Sequence, residues 1–418
     1  MMDSVFPLPR DLPAAAEPAV EIVRQLRAAG HQALLAGGCV RDLLLGQTPE
    51  DFDVATAALP EQVGALFRPT RQVGAQFGVV LVKRRRRWIE VATFRTDGPY
   101  LDGRRPVQVT PTDARHDALR RDFTVNGMFL DPLARQVIDY VGGRADLDAR
   151  VIRAIGEPVA RFDEDYLRLL RAVRFAARLG FPIEPATLAA IRSHAPTLAQ
   201  VAAERVREEL ERMLVHPARQ RAWRWLADCG LLPYLWPDTG WQAAQVQRID
   251  TLLGRLPAEA PFELTMAILL ADRTPGDIER IARDLTLSNE QRETTAWLVA
   301  HQADLDDPSR PSLAELKRLM AQPAFAALCR LTAASYDDLP DADVRRNGLD
   351  VRLRGIAPDT VQPEPFVRGD DLLQRGVAPG PAYKEILDAL YTRQLDEVIR
   401  SRDEALAALE ALLKERSP

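Results

Sequence analysis

"LLAGGCVRDLLLGQTPEDFDVAT" (residues 34–56) holds a strand, a glycine turn, a short helix and a second strand within 23 residues. An apolar run ends in Gly37-Gly38, "VRDLLLG" reads as one or two helical turns, and "DFDVAT" reads as a strand. Glycine lets the backbone approach a ligand closely, and the N–H groups that open a helix are free to meet an anion. Arg41 lies one turn into the helix, placed to reach a phosphate. Neither a Walker pattern nor G-x-G-x-x-G is present, so P-loop and dinucleotide readings fail. On the next strand Asp51 and Asp53 are two residues apart and share a side of the sheet. Side-by-side carboxylates repel unless a cation lies between them. Hard oxygen donors suit Mg²⁺, which keeps several waters and takes phosphate oxygens as ligands. Two readings stand: a glycine turn with surface acids, or a nucleotide phosphate on backbone amides with Mg²⁺ on Asp51 and Asp53.

The chain around this stretch is 418 residues long, which implies more than one domain. It is 46% hydrophobic and 28% charged, the balance of a soluble globular protein. It carries no apolar run of about 18 residues, so no membrane span is expected. The opening residues lack a basic segment followed by an apolar one, and no export signal is expected. Cys39, Cys229 and Cys329 are isolated from one another, which fits a reducing cytoplasm better than a disulfide framework or a zinc site. The net charge of −5 excludes a uniformly basic nucleic-acid coat. The basic residues are nearly all arginine, with Lys83, Lys317, Lys384 and Lys414 the exceptions. Arginine suits bidentate phosphate and base contacts, but genomic codon bias gives the same excess.

Outward from the opening stretch, "AVEIVRQLRAAG" (19–30) has helical spacing and ends on a glycine. "FGVVLVKRRRRWIEVATFR" (77–95) holds two strand-like runs around a basic turn and predicts a hairpin. Within it, Glu90 stands in an apolar run, either facing solvent or serving as a third acid beside Asp51 and Asp53. The run Lys83 to Arg87 is either a phosphate-backbone contact or a solvated turn. "TDGPYLDGRRP" (96–106) reads as a mobile loop. Beyond residue 150 the pattern becomes helix after helix, including "AAERVREELERML". Residues 337–368 are Pro-rich and read as a linker or irregular segment, followed by a helical tail.

Five ordered segments then fix a resemblance: "GGCVRDLLLG…DFD", "RRDFTVNGM", "DYVGGRADL", "RFDEDYLRLLRAVRFAARLGF" and "AERVREEL". Together they resemble the class II nucleotidyltransferases of the polymerase-β superfamily, the CCA-adding enzymes and bacterial poly(A) polymerases. "GVAPGPAYKEILDALYTRQLD", near the end, is similar to the family's C-terminal part. The implied fold is α+β: an N-terminal mixed-sheet nucleotidyltransferase head, then an elongated all-helical neck, body and tail. The expected divisions are 1–150 for the head, 151–215 for the neck, 216–340 for the body and 341–418 for an RNA-binding tail.

The resemblance implies roles by residue. Asp51 and Asp53 would hold catalytic Mg²⁺; Glu90, from its own place in the strand and not from the resemblance, is the candidate third metal-site acid or general base. Gly37, Gly38 and Arg41 would meet the triphosphate. Arg121, Asp122 and Asn126 would address triphosphate and ribose. Asp165 and Arg168 would form a protein template for the incoming base, with Arg171 and Arg174 lining the same pocket from the same helix. Chemistry supports such a template: cytosine and adenine both present an amine donor beside a ring-nitrogen acceptor, whereas guanine and uracil reverse that order. An Asp–Arg pair at i and i+3 matches the first two and leaves the others unpaired. The substrates implied are CTP, ATP and a tRNA 3′ end, gripped at the elbow by shape and backbone charge. An A-adding-only enzyme or a poly(A) polymerase is the alternative. Asp102, Arg104 and Arg105 in the 96–106 loop weigh against a CC-only enzyme. Gly127 stands where the family usually has alanine, and His116-Asp117 is read as incidental rather than as a phosphohydrolase pair.

Overall fold

The protein is described from a computed structural model, over residues 4–72, 78–98, 109–237, 239–337 and 339–415. It forms two compact units, Met1–Val246 and Gln247–Pro418.

Unit 1 opens with a sheet-and-helix layer. The strands are β1 (Ser4–Pro7), β2 (Ala33–Ala36), β3 (Asp53–Thr56), β4 (Thr70–Gln72), β5 (Val79–Arg84), β6 (Arg87–Thr93), β7 (Arg95–Asp97), β8 (Val109–Pro111), β9 (Phe129–Asp131) and β10 (Gln136–Asp139). Eight of them make one sheet in the order β1-β10-β9-β2-β3-β6-β5-β4, and β7 pairs with β8. The sheet is mixed: β3 and β6 run parallel while β2–β3 and β5–β6 are antiparallel. The central strand β2, "ALLA", is buried along its whole length, as a strand covered on both faces must be. Helices α1 (Glu17–Ala28) and α3 (Pro60–Leu66) pack on β5 and β6, on the side where Val80, Val82, Ile89 and Val91 are buried. On the other face Leu34, Ala36, Ala55 and Phe129 form a core with Phe94 and with Ala114 and Ala118 of α4 (Ala114–Leu119). Phe94 and Phe129 meet edge to face, ring centroids 5.8 Å apart.

Between β2 and β3 lies α2 (Gly38–Leu44). Gly37 precedes it at φ 75°, ψ −133°, a conformation only glycine adopts without strain. Helix α1 ends where the sequence predicts, with Gly30 at φ +86°. Asp139 at the end of β10 accepts the N–H groups of Val141, Gly142, Gly143 and Arg144 and so fixes the start of α5 (Gly143–Asp148). The helices that follow are α6 (Pro158–Glu164), α7 (Arg168–Leu179), α8 (Pro185–His194), α9 (Ala203–Leu214) and α10 (Arg219–Asp228). Trp223, Trp236 and Trp241 cluster edge to face beyond them.

Unit 2 is helical among its described residues, with a core of Val367, Leu372, Ile386, Leu390, Ile399, Ala405 and Leu409. Lys317, almost wholly buried, donates to Glu397 at 2.9 Å. The segment expected to be an irregular linker is instead largely ordered: Ala342–Arg354 is a 13-residue helix. The prolines that suggested a linker flank this helix rather than interrupt it. Residues 99–108, which hold most of the expected mobile loop with Asp102, Arg104 and Arg105, lie outside the described residues. No helix among the described residues is long and apolar enough to cross a membrane.

Candidate active site

The start of β3 and the middle of β6 bring acids together. Their parallel register sets Val54 beside Val91. One step back, the same register sets Asp53 beside Glu90, both on the face that carries Ala55 and Ala92. Asp51 lies two residues ahead of Asp53, before the strand begins. Enclosure by the surrounding protein, and then the carboxylates of Glu90 and Asp51, push the pKa of Asp53 up to about 6, while Arg121 opposes them. The pKa of Glu90 is also raised, first by the loss of surrounding water inside the cavity although its side chain stays accessible, against the pull of Arg121 and Arg95. Mutually repelling carboxylates with hard oxygen donors fit a divalent cation that completes its shell with water and phosphate. Among the described residues no group of three or more His, Cys, Asp or Glu side chains is placed to hold a metal ion by itself, which leaves the acid pair and substrate phosphate as the candidate ligands.

Asp53 and Glu90 open into a cavity of about 760 Å³. Gly37, Gly38, Arg41, Arg121, Asp122, Asn126, Asp165, Arg168 and Arg171 also line it, so most of the sequence-predicted site residues meet in one place. Asp51 and Arg174 are not among its lining residues.

One wall is cationic. Arg41 is only 3% exposed; it donates from Nε to Asp42 at 2.8 Å and from Nη1 to Asn126 Oδ1 at 2.6 Å. This leaves the buried Nδ2 of Asn126 without a partner in a residue that faces the cavity, a donor available to a ligand oxygen. Arg121 is held by Asp117 at 3.0 Å and lies over the ring of Phe129. A Cβ at Gly37 would come within 3.1 Å of its Nη1, a second reason for glycine there.

Asp117, read from the sequence as incidental, is 1% exposed and holds Arg120 as well as Arg121, at 2.6 and 3.0 Å. Burial alone would raise its pKa, but the charges of Arg121 and Arg120 outweigh that and lower it. It is therefore the anchor of the cationic wall.

The far wall belongs to α6, α7 and α9. Here the expectation that Asp165 and Arg168 are stacked on one helix fails. Asp165 ends α6 in extended backbone, φ −150° and ψ 104°, and α7 starts at Arg168. Arg168 turns to Glu164 at 2.5 Å and to the carbonyl oxygens of Arg161 and Arg120 at 2.8 and 3.1 Å. Asp165 is gripped by both terminal nitrogens of Arg205 on α9, at 3.0 and 2.8 Å. Such a fork fixes the orientation of a carboxylate.

Asp122, 7% exposed, takes Nε and Nη2 of Arg171 at 2.8 and 2.6 Å and the Phe123 N–H at 2.8 Å. Burial works to raise the Asp122 pKa, but the charge and hydrogen bonds of Arg171, then Arg168 and the Phe123 N–H, bring it down to about 2. Arg174, expected in the same pocket, turns instead to the buried Glu209 at 2.5 Å. Phe175 lies beneath Arg41, Arg171 and Arg174, whose guanidinium carbons are 5.5, 5.4 and 4.2 Å from its ring centre. Sequence reasoning missed Arg205, Asp117, Glu209 and Phe175 as site-forming residues. The signal for Arg205 was present in "AERVREEL", which already carried the resemblance.

Comparison with known proteins identifies the family. Residues 33–153 match the family described as the poly A polymerase head domain, and residues 180–241 match the probable RNA and SrmB-binding site of polymerase A. The chain is 36% identical over 406 residues to a CCA-adding enzyme of Geobacillus kaustophilus, covering 94% of this chain and 96% of that one. It is 35% identical to another from Geobacillus thermodenitrificans, over 93% of this chain and 95% of that one. The crystal structure of the Bacillus stearothermophilus CCA-adding enzyme in complex with CTP matches with a TM-score of 0.83 at 32% identity, over 97% of this chain and 99% of that one. The acids on two parallel strands, the arginine wall and the helical far wall thus sit in a chain that belongs to the CCA-adding enzymes, a family of nucleotidyltransferases.

Proposed function

We propose that this chain completes the 3′ end of tRNA, adding C, C and then A from CTP and ATP without a nucleic-acid template, in the cytoplasm and with Mg²⁺. The observation that carries the reading is a single cavity in which Asp53 and Glu90 face an arginine wall and the clamped Asp165. Asp51 and Asp53 would hold Mg²⁺. That ion, when bound, neutralises charge on the phosphates and favours the ionised form of an attacking oxygen. Glu90, its pKa raised, is suited to take the proton of the RNA 3′-hydroxyl. That oxygen attacks the α-phosphate, and pyrophosphate leaves.

The chain's own donors set the geometry of this step. Gly37 and Gly38 offer backbone, and Arg41 and Arg121 offer guanidinium groups, to the triphosphate. The unpaired Nδ2 of Asn126 offers a further donor to phosphate or ribose. Asp122 holds Arg171 at the cavity wall. Asp165, oriented by Arg205, presents an acceptor to the exocyclic amine of cytosine or adenine, with Arg168 and Arg171 as the neighbouring cations and Arg174 behind them. A base that places an oxygen against Asp165 would leave buried polar groups unpaired and be rejected. Residues 1–150 form the catalytic head in this reading, 151–215 the base-recognising neck, 216–340 the body and 341–418 a tail that holds the tRNA.

The test is incorporation from labelled CTP and ATP, measured separately, on tRNA ending before CC, after CC, and on unrelated RNA. Addition of both nucleotides to tRNA alone is expected. Incorporation of A only, or A on any RNA, would make it an A-adding enzyme or a poly(A) polymerase. Asp51→Ala is expected to reduce incorporation by roughly two orders of magnitude or more, because the metal's share of charge stabilisation is several kcal/mol. Unchanged turnover would remove Asp51 from the metal site.

A further inference from the structure

The face of the sheet that carries Asp53 and Glu90 is covered at one end by Phe94 and α4. Among the described residues it opens at the other end. Along this face of β6, Ala92 is half-buried, Glu90 exposed and Trp88 half-buried. Lys83 pairs with Trp88 across the β5–β6 hairpin, and Leu81 pairs with both Glu90 and Arg71 of β4. Alternation along the strands therefore puts Arg71, Leu81, Lys83 and Trp88 on the same face as the catalytic acids. Cations flank the indole: the Arg71 guanidinium is 4.5 Å from the Trp88 ring centre and the Lys83 ammonium 5.7 Å.

The rest of the basic run behaves differently, so the sequence's choice between phosphate contact and solvated turn was posed for the wrong unit. Arg84 packs over Phe67 and donates to Gln25, and Arg85 pairs with Glu21 of α1. Those two are tied down on the helix-covered side of the sheet. Lys83, with Arg71 from the neighbouring strand, is the part aimed past the active site.

We propose that this open face, from Glu90 through Trp88 to Lys83 and Arg71, seats the single-stranded 3′ end of the RNA, with a base stacked on Trp88 and phosphates met by the two cations. The proposal rests on the functional reading above. An aromatic side chain beside cations is the pairing that holds single strands without reading their sequence. Trp88 lies two residues along β6 from Glu90, about 7 Å at the rise of a strand. At about 3.4 Å per nucleotide along a stacked strand, that is two steps. A 3′-hydroxyl at Glu90 thus leaves the ring for a base just upstream of the growing end. The incoming nucleotide occupies the other side, toward α7 and α9, so the two substrates do not compete for space. Because the stack ignores base identity, the same platform serves an end before C, after C and after CC.

The test measures binding of tRNA ending before CC and after CC, by anisotropy of a labelled RNA without nucleotide, together with steady-state KM for RNA and for CTP. Trp88→Ala is expected to raise Kd and KM for RNA roughly 5- to 150-fold, the range for losing one base–aromatic stack. KM for CTP should stay within a factor of two, and Trp88→Phe should restore most of the RNA affinity. Lys83→Ala, on an exposed side chain that folding does not need, should lower the slope of log Kd against log salt by about 0.7. Unchanged RNA binding in both Trp88→Ala and Lys83→Ala would overturn the proposal. So would a change in sedimentation in place of one in RNA affinity, which would give the face to a second copy of the chain. Should the unaltered protein bind these RNAs and incorporate nothing, the functional reading falls, while the binding arm still judges the surface.

Discussion

Removing Arg171 should strand a buried charge, and the size of the effect can be worked from the pair it breaks. The Asp122 pKa of about 2 lies below the ordinary aspartate value of about 3.9. A depressed carboxylate contributes stability that is fully present above the unfolded value and is lost as pH falls toward 2. The difference is about 2–3 kcal/mol. In Arg171→Ala the carboxylate keeps its burial and loses its principal cation. The expected cost near pH 7 is about 3–5 kcal/mol. Burial then dominates, so the Asp122 pKa in the variant should rise above its ordinary value, and protonation should relieve the strain. The deficit against the parent should therefore be largest at pH 7–8 and shrink as pH falls toward 4. Asp122→Asn combined with Arg171→Ala should recover much of the loss at pH 7, because no carboxylate is then left at position 122 without its cation, and Glu209 keeps Arg174. Urea unfolding followed by circular dichroism at pH 5, 6, 7 and 8 measures this. A deficit below about 1 kcal/mol, or one independent of pH, or a double variant as unstable as the single, would refute the reasoning.

Three further outcomes are expected. Incorporation at limiting Mg²⁺ should rise with pH through about 6, the Asp53 value, and the midpoint should move to lower pH as Mg²⁺ is raised, because the cation competes with the proton; a flat profile from pH 5 to 7 would contradict the assignment. Gly127→Ala should cost about 1–3 kcal/mol in urea unfolding, since a Cβ there would lie 2.7 Å from Val141 Cγ2 and 3.0 Å from Ile155 Cδ1, and Val141→Ala in that background should recover part of it. Arg205→Ala should lower kcat/KM for CTP by roughly 10- to 100-fold, the worth of one charge-assisted hydrogen-bonded contact, and narrow the preference for CTP over UTP, with both read from single-nucleotide incorporation.

The strand–glycine–helix–strand unit was legible because each piece is local: β2 is an unbroken apolar run, Gly37 punctuates it, and β3 follows from Asp53, although Asp51 lies ahead of the strand and alternation does not reach it. Glu90 was visible only as an acid in an apolar run. What makes it a neighbour of Asp53 is a parallel register between strands separated by 30 residues, which local pattern does not encode. Asp165 was misplaced because the helical spacing of apolar residues continues across 165–167, while the backbone there does not. Its true partner, Arg205, is 40 residues away. Asp117 was judged against a catalytic pair it does not form, and its role follows from burial between Arg120 and Arg121. Arg174 was assigned by helix membership, yet α7 points it toward Glu209. The helix Ala342–Arg354 escaped notice because its flanking prolines dominated the composition.

The clamp between Asp165 and Arg205 has a consequence for how this protein wears out. Its two halves are carried by separate helical elements, whereas the acids sit in the β-sheet. On the function proposed above, choosing the right letter and joining it are thus lodged in different parts of the fold, the first depending on an ion pair between two separate segments. Gentle warming or dilute denaturant should make the enzyme careless before it makes it idle.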